Sequence, residues 1–472
     1  VTTQKTDTTP TDPSPGIPRH VILTLVTLLV GGIAAILDST MVTLAVHTLT
    51  RDLNANAGTI QWVTTAYLLA MAVAIPLTGW LERRLGGKRS WVLALSGFLL
   101  GSVLCACAWN AGSLIAFRAV QGLAGGLIMP LMMTLAMKAA GGKASTKLMA
   151  SISIPTALGP ILGPVIAGII LNSLSWRWLF LVNVPMVGIG LLLAWRYLKA
   201  DATPETRTRI DWVGLVLLAP GLVGILYGLS QLSHHGTVAE FDVLAPLIVG
   251  LGLTTAFVIW ALRAAHPLVD VRLLRFRSLG SASAVMFTAG AALYAGMFLL
   301  PLYFQQAQGK SVLTAGLLMI PQGVGALTAR TFIGALVDRF GARAVTMASF
   351  GLTAVATIPF AFADSGTSLV WLGAVLLIRG VGVGALLIPP MATAYRDVPH
   401  EGISHASMAT RITQQVGASF GTAVVAVVLQ LLMTNGSTHA FATTFWWSIG
   451  ITLVAFIPAA WMPGKAAPAG GR

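Results

Sequence analysis

Gly79-Trp80-Leu81-Glu82-Arg83-Arg84-Leu85-Gly86 returns 255 residues later as Gly334-Ala335-Leu336-Val337-Asp338-Arg339-Phe340-Gly341. Each copy is a short charged stretch bracketed by glycines and set between apolar runs. Two further pairs keep nearly the same spacing. Arg118-Ala119-Val120-Gln121-Gly122 is followed 261 residues on by Arg379-Gly380-Val381-Gly382-Val383, and Gly159-x-x-x-Gly163 is followed 258 residues on by Gly417-x-x-x-Gly421. Three similar offsets divide the chain into two halves of like orientation, with extra sequence between them.

The material between these motifs is apolar. Hydrophobic residues make up 56% of the 472 positions and charged residues 9%, against roughly 25% charged in a soluble domain. The apolar runs are about 20 residues long, enough to cross a hydrocarbon core near 30 Å thick. The 50 glycines and 23 prolines suit spanning helices, which tolerate both. The predicted fold class is all-α: a polytopic membrane protein with fourteen transmembrane helices. They are expected at 22–46, 58–81, 90–109, 113–137, 147–172, 177–198, 211–231, 243–263, 280–304, 312–337, 344–363, 369–393, 405–434 and 440–462. The repeat groups them as two six-helix bundles, residues 19–200 and 266–463, with spans 7 and 8 (201–265) as two inserted linker helices. Residues 1–18, rich in Thr and Pro, read as a disordered cytoplasmic tail, and 464–472 as a second. The first span is too long for a cleaved signal peptide and lacks a small-residue cleavage site. Parallel repeats of six helices are an architecture of secondary transporters that work by alternating access around a site between the halves.

The net charge of +14 is a matter of topology. Twenty-two of the 29 Lys and Arg residues fall in the tails and in the even-to-odd loops, while the loops on the other side carry only Arg51, Arg177 and Lys310. By the positive-inside rule both termini are cytoplasmic and the number of spans is even. The basic residues therefore face lipid and cytoplasm, and no nucleic-acid partner is expected. Cys105 and Cys107 lie two apart on one helix and point to different faces. No histidine sits mid-span, so an intramembrane metalloenzyme lacks its ligands. A Walker-type glycine loop is missing too, so no ATP, metal or other cofactor is expected and a proton gradient is the predicted energy source.

Asp38, in Ile36-Leu37-Asp38-Ser39-Thr40-Met41, is the only acid inside a predicted span clear of its ends. A carboxylate at that depth costs several kcal/mol unless paired, hydrated or protonated, which marks a functional site and suggests a proton carrier. Asp38 lies about 12 Å from the outer end of span 1 and Arg118 about 8 Å from that of span 4, so the two reach similar depth. A guanidinium favours the ionised acid and desolvation the protonated one, so opening and closing a cavity can load and release a proton. Tyr294 takes approximately the repeat position of Asp38, and Arg330 and Arg379 are further intramembrane charges.

These motifs resemble three signatures of the major facilitator superfamily. Gly159-Pro160-Ile161-Leu162-Gly163-Pro164-Val165-Ile166-Ala167-Gly168 is similar to the motif of its antiporters. Leu37-Asp38-Ser39-Thr40, Gln61-Trp62-Val63 with Tyr67, Ser175-Trp176-Arg177-Trp178-Leu179-Phe180 with Asn183 and Pro185, Leu300-Pro301-Leu302-Tyr303-Phe304-Gln305-Gln306 and Pro321-Gln322-Gly323-Val324-Gly325 resemble its 14-helix drug:proton antiporters. The resemblance covers about residues 20–462.

The residues and the resemblance together assign expected roles. Asp38 and Arg118 couple protons. In the antiporter motif, Gly159, Pro160, Gly163, Pro164 and Gly168 give span 5 a bent, small face, expected to seal against the second half. A cytoplasmic latch is expected from Gly79, Glu82, Arg83, Arg84, Gly86, Lys88 and Arg89, and from Gly334, Asp338, Arg339, Gly341 and Arg343. Here the sequence departs from the family: Arg83 stands where the second copy has the acid Asp338, and Glu82 lies one residue, or about 100° of helix, away. An altered first-half latch follows. Trp62, Tyr67, Tyr294, Phe298, Gln305, Gln306, Arg379 and Gln414 are candidates to line the substrate cavity.

The expected function is export of a small hydrophobic drug, cationic or neutral, in exchange for protons across a bacterial inner membrane. The protein is not expected to be an enzyme. A monomer is the expected state and a periplasmic adaptor protein a candidate partner. An exporter of an endogenous lipid or metabolite is the alternative within transport, and a non-transporting membrane sensor the alternative outside it.

Overall fold

The structure, a computed structural model, describes residues 19–42, 45–55, 57–140, 162–163, 166–171, 173–198, 211–235, 239–364, 366–435, 437 and 439–464. Among these residues the regular structure is all helical, with no strand. Twelve helical segments are long and apolar enough to cross a membrane. The fifth predicted span, 147–172, falls largely outside the described residues. The tenth is helical, as α12 (Val312–Leu318) and α13 (Ile320–Phe340), but its Gly, Thr and charged residues leave it less apolar than the twelve.

The first half begins with α1 (Arg19–Met41) and the short α2 (Val46–Asp52), then α3 (Ala57–Ala74) and α4 (Thr78–Leu85), α5 (Gly87–Ala106), α6 (Ala111–Ala139), α7 (Trp178–Leu181) and α8 (Asn183–Tyr197). Asn110 caps α6 through a capping box with Ser113, which satisfies two first-turn donors. Gly122 and Gly126 of α6 lie against the backbone of α3 at Tyr67 and Met71, where a Cβ would collide. That close approach brings Arg118 and Tyr67 face to face.

The second half runs through α11 (Arg277–Leu302), a π-helical turn at 303–307, α12, α13, α14 (Ala342–Ala361), α15 (Leu369–Ala385), α16 (Ile388–Ala394), α17 (Ile403–Thr434), α18 (Ala440–Val454) and α19 (Phe456–Trp461). The repeat is visible in the backbone. Gly86 (φ 80°, ψ 159°) and Gly341 (φ 85°, ψ 154°) make the same turn between consecutive helices, a conformation open essentially only to glycine.

Between the halves lie α9 (Trp212–His235) and α10 (Phe241–Arg263), packed on each other through Gly221, Gly224, Gly228 and Gly250. Asp211 staples this pair, accepting hydrogen bonds from the N–H of Gly214 (2.8 Å), Trp260 Nε1 (3.1 Å) and the N–H of Leu268 (3.0 Å). α9 touches both halves: Leu218, Leu222 and Leu226 share a buried cluster with Ala72 of α3 and Met408 of α17.

Candidate functional site

Asp38 is wholly buried, and side chains from several helices of the first half converge on it. Nη1 of Arg118 donates to Oδ2 at 2.5 Å. Nδ2 of Asn183 and Nε2 of Gln121 donate to Oδ1 at 2.8 and 3.0 Å. The same Nε2 also donates to Ser102 Oγ at 2.8 Å, and Asn183 Nδ2 reaches that hydroxyl at 3.3 Å. Arg118 is held in turn: Nε donates to the Val63 carbonyl at 3.2 Å and Nη1 to Gln121 Oε1 at 2.7 Å, with the guanidinium carbon 3.9 Å above the Tyr67 ring. Two polar atoms of this network find no partner among the described residues, Nη2 of Arg118 and Oδ1 of Asn183. The depth arithmetic that paired Asp38 with Arg118 agrees with this contact. Sequence reasoning missed Gln121 and Ser102 as partners, since a Gln or Ser in a span carries no signal until the helices meet.

The second half has the arginine without the acid. Arg379 is buried, and its Nε and Nη1 donate to the neutral acceptors Thr357 Oγ1 (3.1 Å) and Gln322 Oε1 (2.6 Å). Its guanidinium lies directly over Gly296, where a Cβ would collide with Nη2. Gly296, at offset 258 from Asp38, therefore stands under Arg379 as Asp38 stands under Arg118. Tyr294 does not: two helical residues turn a side chain by about 200°, to another face. Arg411 of α17 is an intramembrane charge that sequence reading missed. Its Nη1 donates to Gln414 Oε1 at 2.9 Å, and it lies near enough to Tyr67 of the first half to act on it electrostatically.

The remaining cavity candidates scatter. Tyr67 lies under the guanidinium of Arg118, and Gln414 beside Arg411. Tyr294 and Phe298 are half-buried, one turn apart on α11. Trp62 is 40% exposed and stacks on Tyr227 of α9 with ring centroids 5.6 Å apart, so it faces the linker. Gln305 and Gln306 belong to the π-helical turn beyond α11, half-buried and exposed respectively.

In the antiporter motif, Gly159, Pro160 and Pro164 lie outside the described residues, and Gly168 is half-buried. A Cβ on Gly163 would meet Thr40 of α1. Gly417 and Gly421 likewise press on Phe287 and Ala291 of α11. At these three glycines the close contact is with the first helix of the same half, while the seal expected between span 5 and the second half falls mostly on residues outside those described. A small residue there lets a backbone approach its own bundle partner.

The cytoplasmic motifs behave differently in the two halves. Glu82 is buried and ion-paired with Lys138 of α6, within its own half. Arg83 instead crosses to the second half, with Nη1 3.2 Å from Nε2 of His405, whose Nδ1 accepts the Asp270 N–H at 3.3 Å. Gly79 makes room for the same crossing, since a Cβ there would lie 2.9 Å from both Ser404 Oγ and Met408 Cε. Lys88 Nζ donates to the Trp195 carbonyl at 2.8 Å, and Arg84 and Arg89 are exposed. In the second copy Asp338, Arg339 and Arg343 are exposed, with Arg339 over the ring of its neighbour Phe340 and Asp338 in no ion pair among the described residues. Gly334 has open space around it. By the repeat offset of 258, the first-half counterparts of Ser404 and Met408 are residues 146 and 150, outside the described residues.

Comparison with known proteins agrees with this architecture. The profile of the Major Facilitator Superfamily matches residues 28–422. A "Multidrug resistance protein B homolog" of Mycobacterium tuberculosis is 36% identical over 400 residues, covering 84% of this chain and 74% of that protein. "Lincomycin resistance protein LmrB" of Listeria innocua is 25% identical over 406 residues, 86% of each chain. The solved proton:xylose symporter XylE superposes with a TM-score of 0.63 at 14% identity, over 93% of this chain and 94% of that one, a likeness of fold. The chain belongs to the major facilitator superfamily.

Proposed function

We propose that this protein is a proton-coupled exporter of hydrophobic drugs, with Asp38 as the proton carrier. The observation that carries the reading is the single mid-membrane carboxylate at the centre of a buried network whose members are Arg118, Gln121, Asn183 and Ser102. Protonation of Asp38 removes half of the ion pair and turns one carboxylate oxygen from acceptor to donor. Gln121 and Asn183 then lose a charged acceptor, and Arg118 is left to the Gln121 amide oxygen, the Val63 carbonyl and the Tyr67 ring. The network thus has two arrangements, one per protonation state, in helices α1, α5, α6 and α8. Such a two-state element is what a bundle needs to change face in step with a proton. One proton crossing the field supplies about 2.3 kcal/mol per 100 mV, before the pH gradient is added.

Drug export is supported by the relatives whose names record multidrug and lincomycin resistance. The finer arrangement belongs to the same proposal: fourteen spans in a bacterial inner membrane, both termini cytoplasmic, no cofactor beyond the proton gradient, a monomer, and a periplasmic adaptor as a candidate partner. The basic loops and the bacterial relatives support it.

The test is reconstitution of the wild type and Asp38→Asn in liposomes carrying a pH-sensitive dye. Substrate-evoked proton movement in the wild type alone supports the reading. Equal signals from both move the proton site elsewhere.

A further inference from the structure

Clear of the helix ends, the described spans hold four guanidiniums, Arg118, Arg330, Arg379 and Arg411, and one carboxylate, Asp38. Asp38 is committed to Arg118. Arg379 is equally buried, yet meets only an amide oxygen and a hydroxyl. Arg330 has Nε and Nη1 buried without a partner among the described residues. Arg411, bonded to Gln414, adds its charge near the seam between the halves.

An uncompensated buried cation costs several kcal/mol, and neutral dipoles offset only part of that. In the first half the cost is met by Asp38. In the second the matching position is Gly296, so the fold keeps the arginine and omits the counter-charge. We propose that Arg379, over Gly296 and beside Gln322, binds the acidic head of the substrate, and that the transported compound is an amphiphilic organic anion: a hydrophobic body carrying one carboxylate, sulfonate or phosphate. This rests on the transport reading above and replaces the cationic or neutral compound expected from the sequence.

The chemistry fits on each count. A planar guanidinium holds an oxyanion through paired, charge-assisted N–H donors, and Gln322 fixes its orientation from Nη1. A substrate cation would meet surplus positive charge in a low-dielectric interior, where repulsion is strong. An anion leaving the cytoplasm also moves down the interior-negative potential, adding to the drive from the incoming proton.

The test compares a matched pair of probes, 1-pyrenebutyrate and 1-pyrenebutyltrimethylammonium, by equilibrium binding to the full-length protein in phosphatidylcholine nanodiscs. The wild type is expected to bind the anion at least tenfold more tightly than the cation. Arg379→Gln and, separately, Gly296→Asp should each weaken the anion at least tenfold, and Arg379→Lys, which keeps the charge but loses the paired donors, should weaken it by less than Arg379→Gln. Gly296→Asp supplies the missing carboxylate from within but also shifts the flexible end of Arg379, whose Nη2 a Cβ there would meet, so Gly296→Ala serves as the control for bulk alone. A purely structural arginine would leave the ratio of anion to cation binding unchanged. Tighter binding of the cation by the wild type, or anion affinity unmoved by both variants, overturns the proposal. Competition by added phosphatidylglycerol would assign the anion to a lipid headgroup, and its absence to a free amphiphile; the acidic-head site holds in either case. Proton movement in liposomes separates the two readings. Anion binding as described with no proton movement would refute antiport alone, and proton movement evoked only by the cation would refute the anion site alone.

Discussion

Asp38 and Gly296 stand at equivalent places in the two halves, each against the buried arginine of its own bundle. One arginine is neutralised within the protein and the other is not. The halves share a framework, but the carboxylate proposed as the proton carrier belongs to the first.

Replacing Asp38 with Asn removes the charge while keeping the shape. Substrate-evoked proton flux should fall at least tenfold. Arg118 would be left buried without a counter-ion, a loss of about 3–5 kcal/mol for breaking such a pair. A lower melting temperature of the purified variant checks the second part.

Gln121→Leu should weaken the site without discharging it. It removes donors to Asp38 and Ser102 and an acceptor for Arg118, and a hydrogen bond to a charged group is worth about 1.5–3 kcal/mol. Thermal melting should show a smaller drop than Asp38→Asn, with flux reduced and not abolished.

The crossing between Arg83 and His405 leads to an opposite effect. Arg83→Asp would set an acid against the imidazole and turn a cation–imidazole contact into an ion pair once His405 is protonated. The cytoplasmic side should then stay closed longer, and transport should slow several-fold once the cytoplasmic pH is low enough to protonate His405. Initial rates across a range of internal pH measure this.

Gly79→Val should push the same contact apart, because its side chain would enter the space of Ser404 and Met408. With Cys105 and Cys107 changed to Ala, a cysteine at Ser404 should react faster with a membrane-impermeant maleimide applied from the cytoplasmic side when Gly79→Val is present.

The turn glycines give a cleaner stability test. Gly86→Ala and Gly341→Ala each force a Cβ into a conformation that costs about 1–3 kcal/mol, so both should melt lower by similar amounts.

The sequence was most legible where one residue carries the signal by its chemistry. A carboxylate in an apolar run and an arginine at matching depth suffice to predict the Asp38–Arg118 pair. The paired turn glycines are legible because no other residue takes that backbone. Arg411 lies inside the predicted span 405–434 but gave little signal, because in the polar stretch Thr410-Arg411-Ile412-Thr413-Gln414-Gln415 near the helix start a long side chain can reach the surface. Gln121, Asn183 and Ser102 become a network only when four helices pack. The partner of Arg379 was misplaced because the repeat offset drifts between 255 and 261, and a drift of two residues turns a helix face away.

The linker pair has a consequence for how cargo arrives. With α9 laid along α3 and α17, one of the two flanks where the bundles meet is walled off from lipid. A greasy molecule dissolved in the bilayer meets the linker pair on that flank and not the seam between the bundles. A compound that enters from the membrane should therefore be indifferent to bulk on the lipid face of α10.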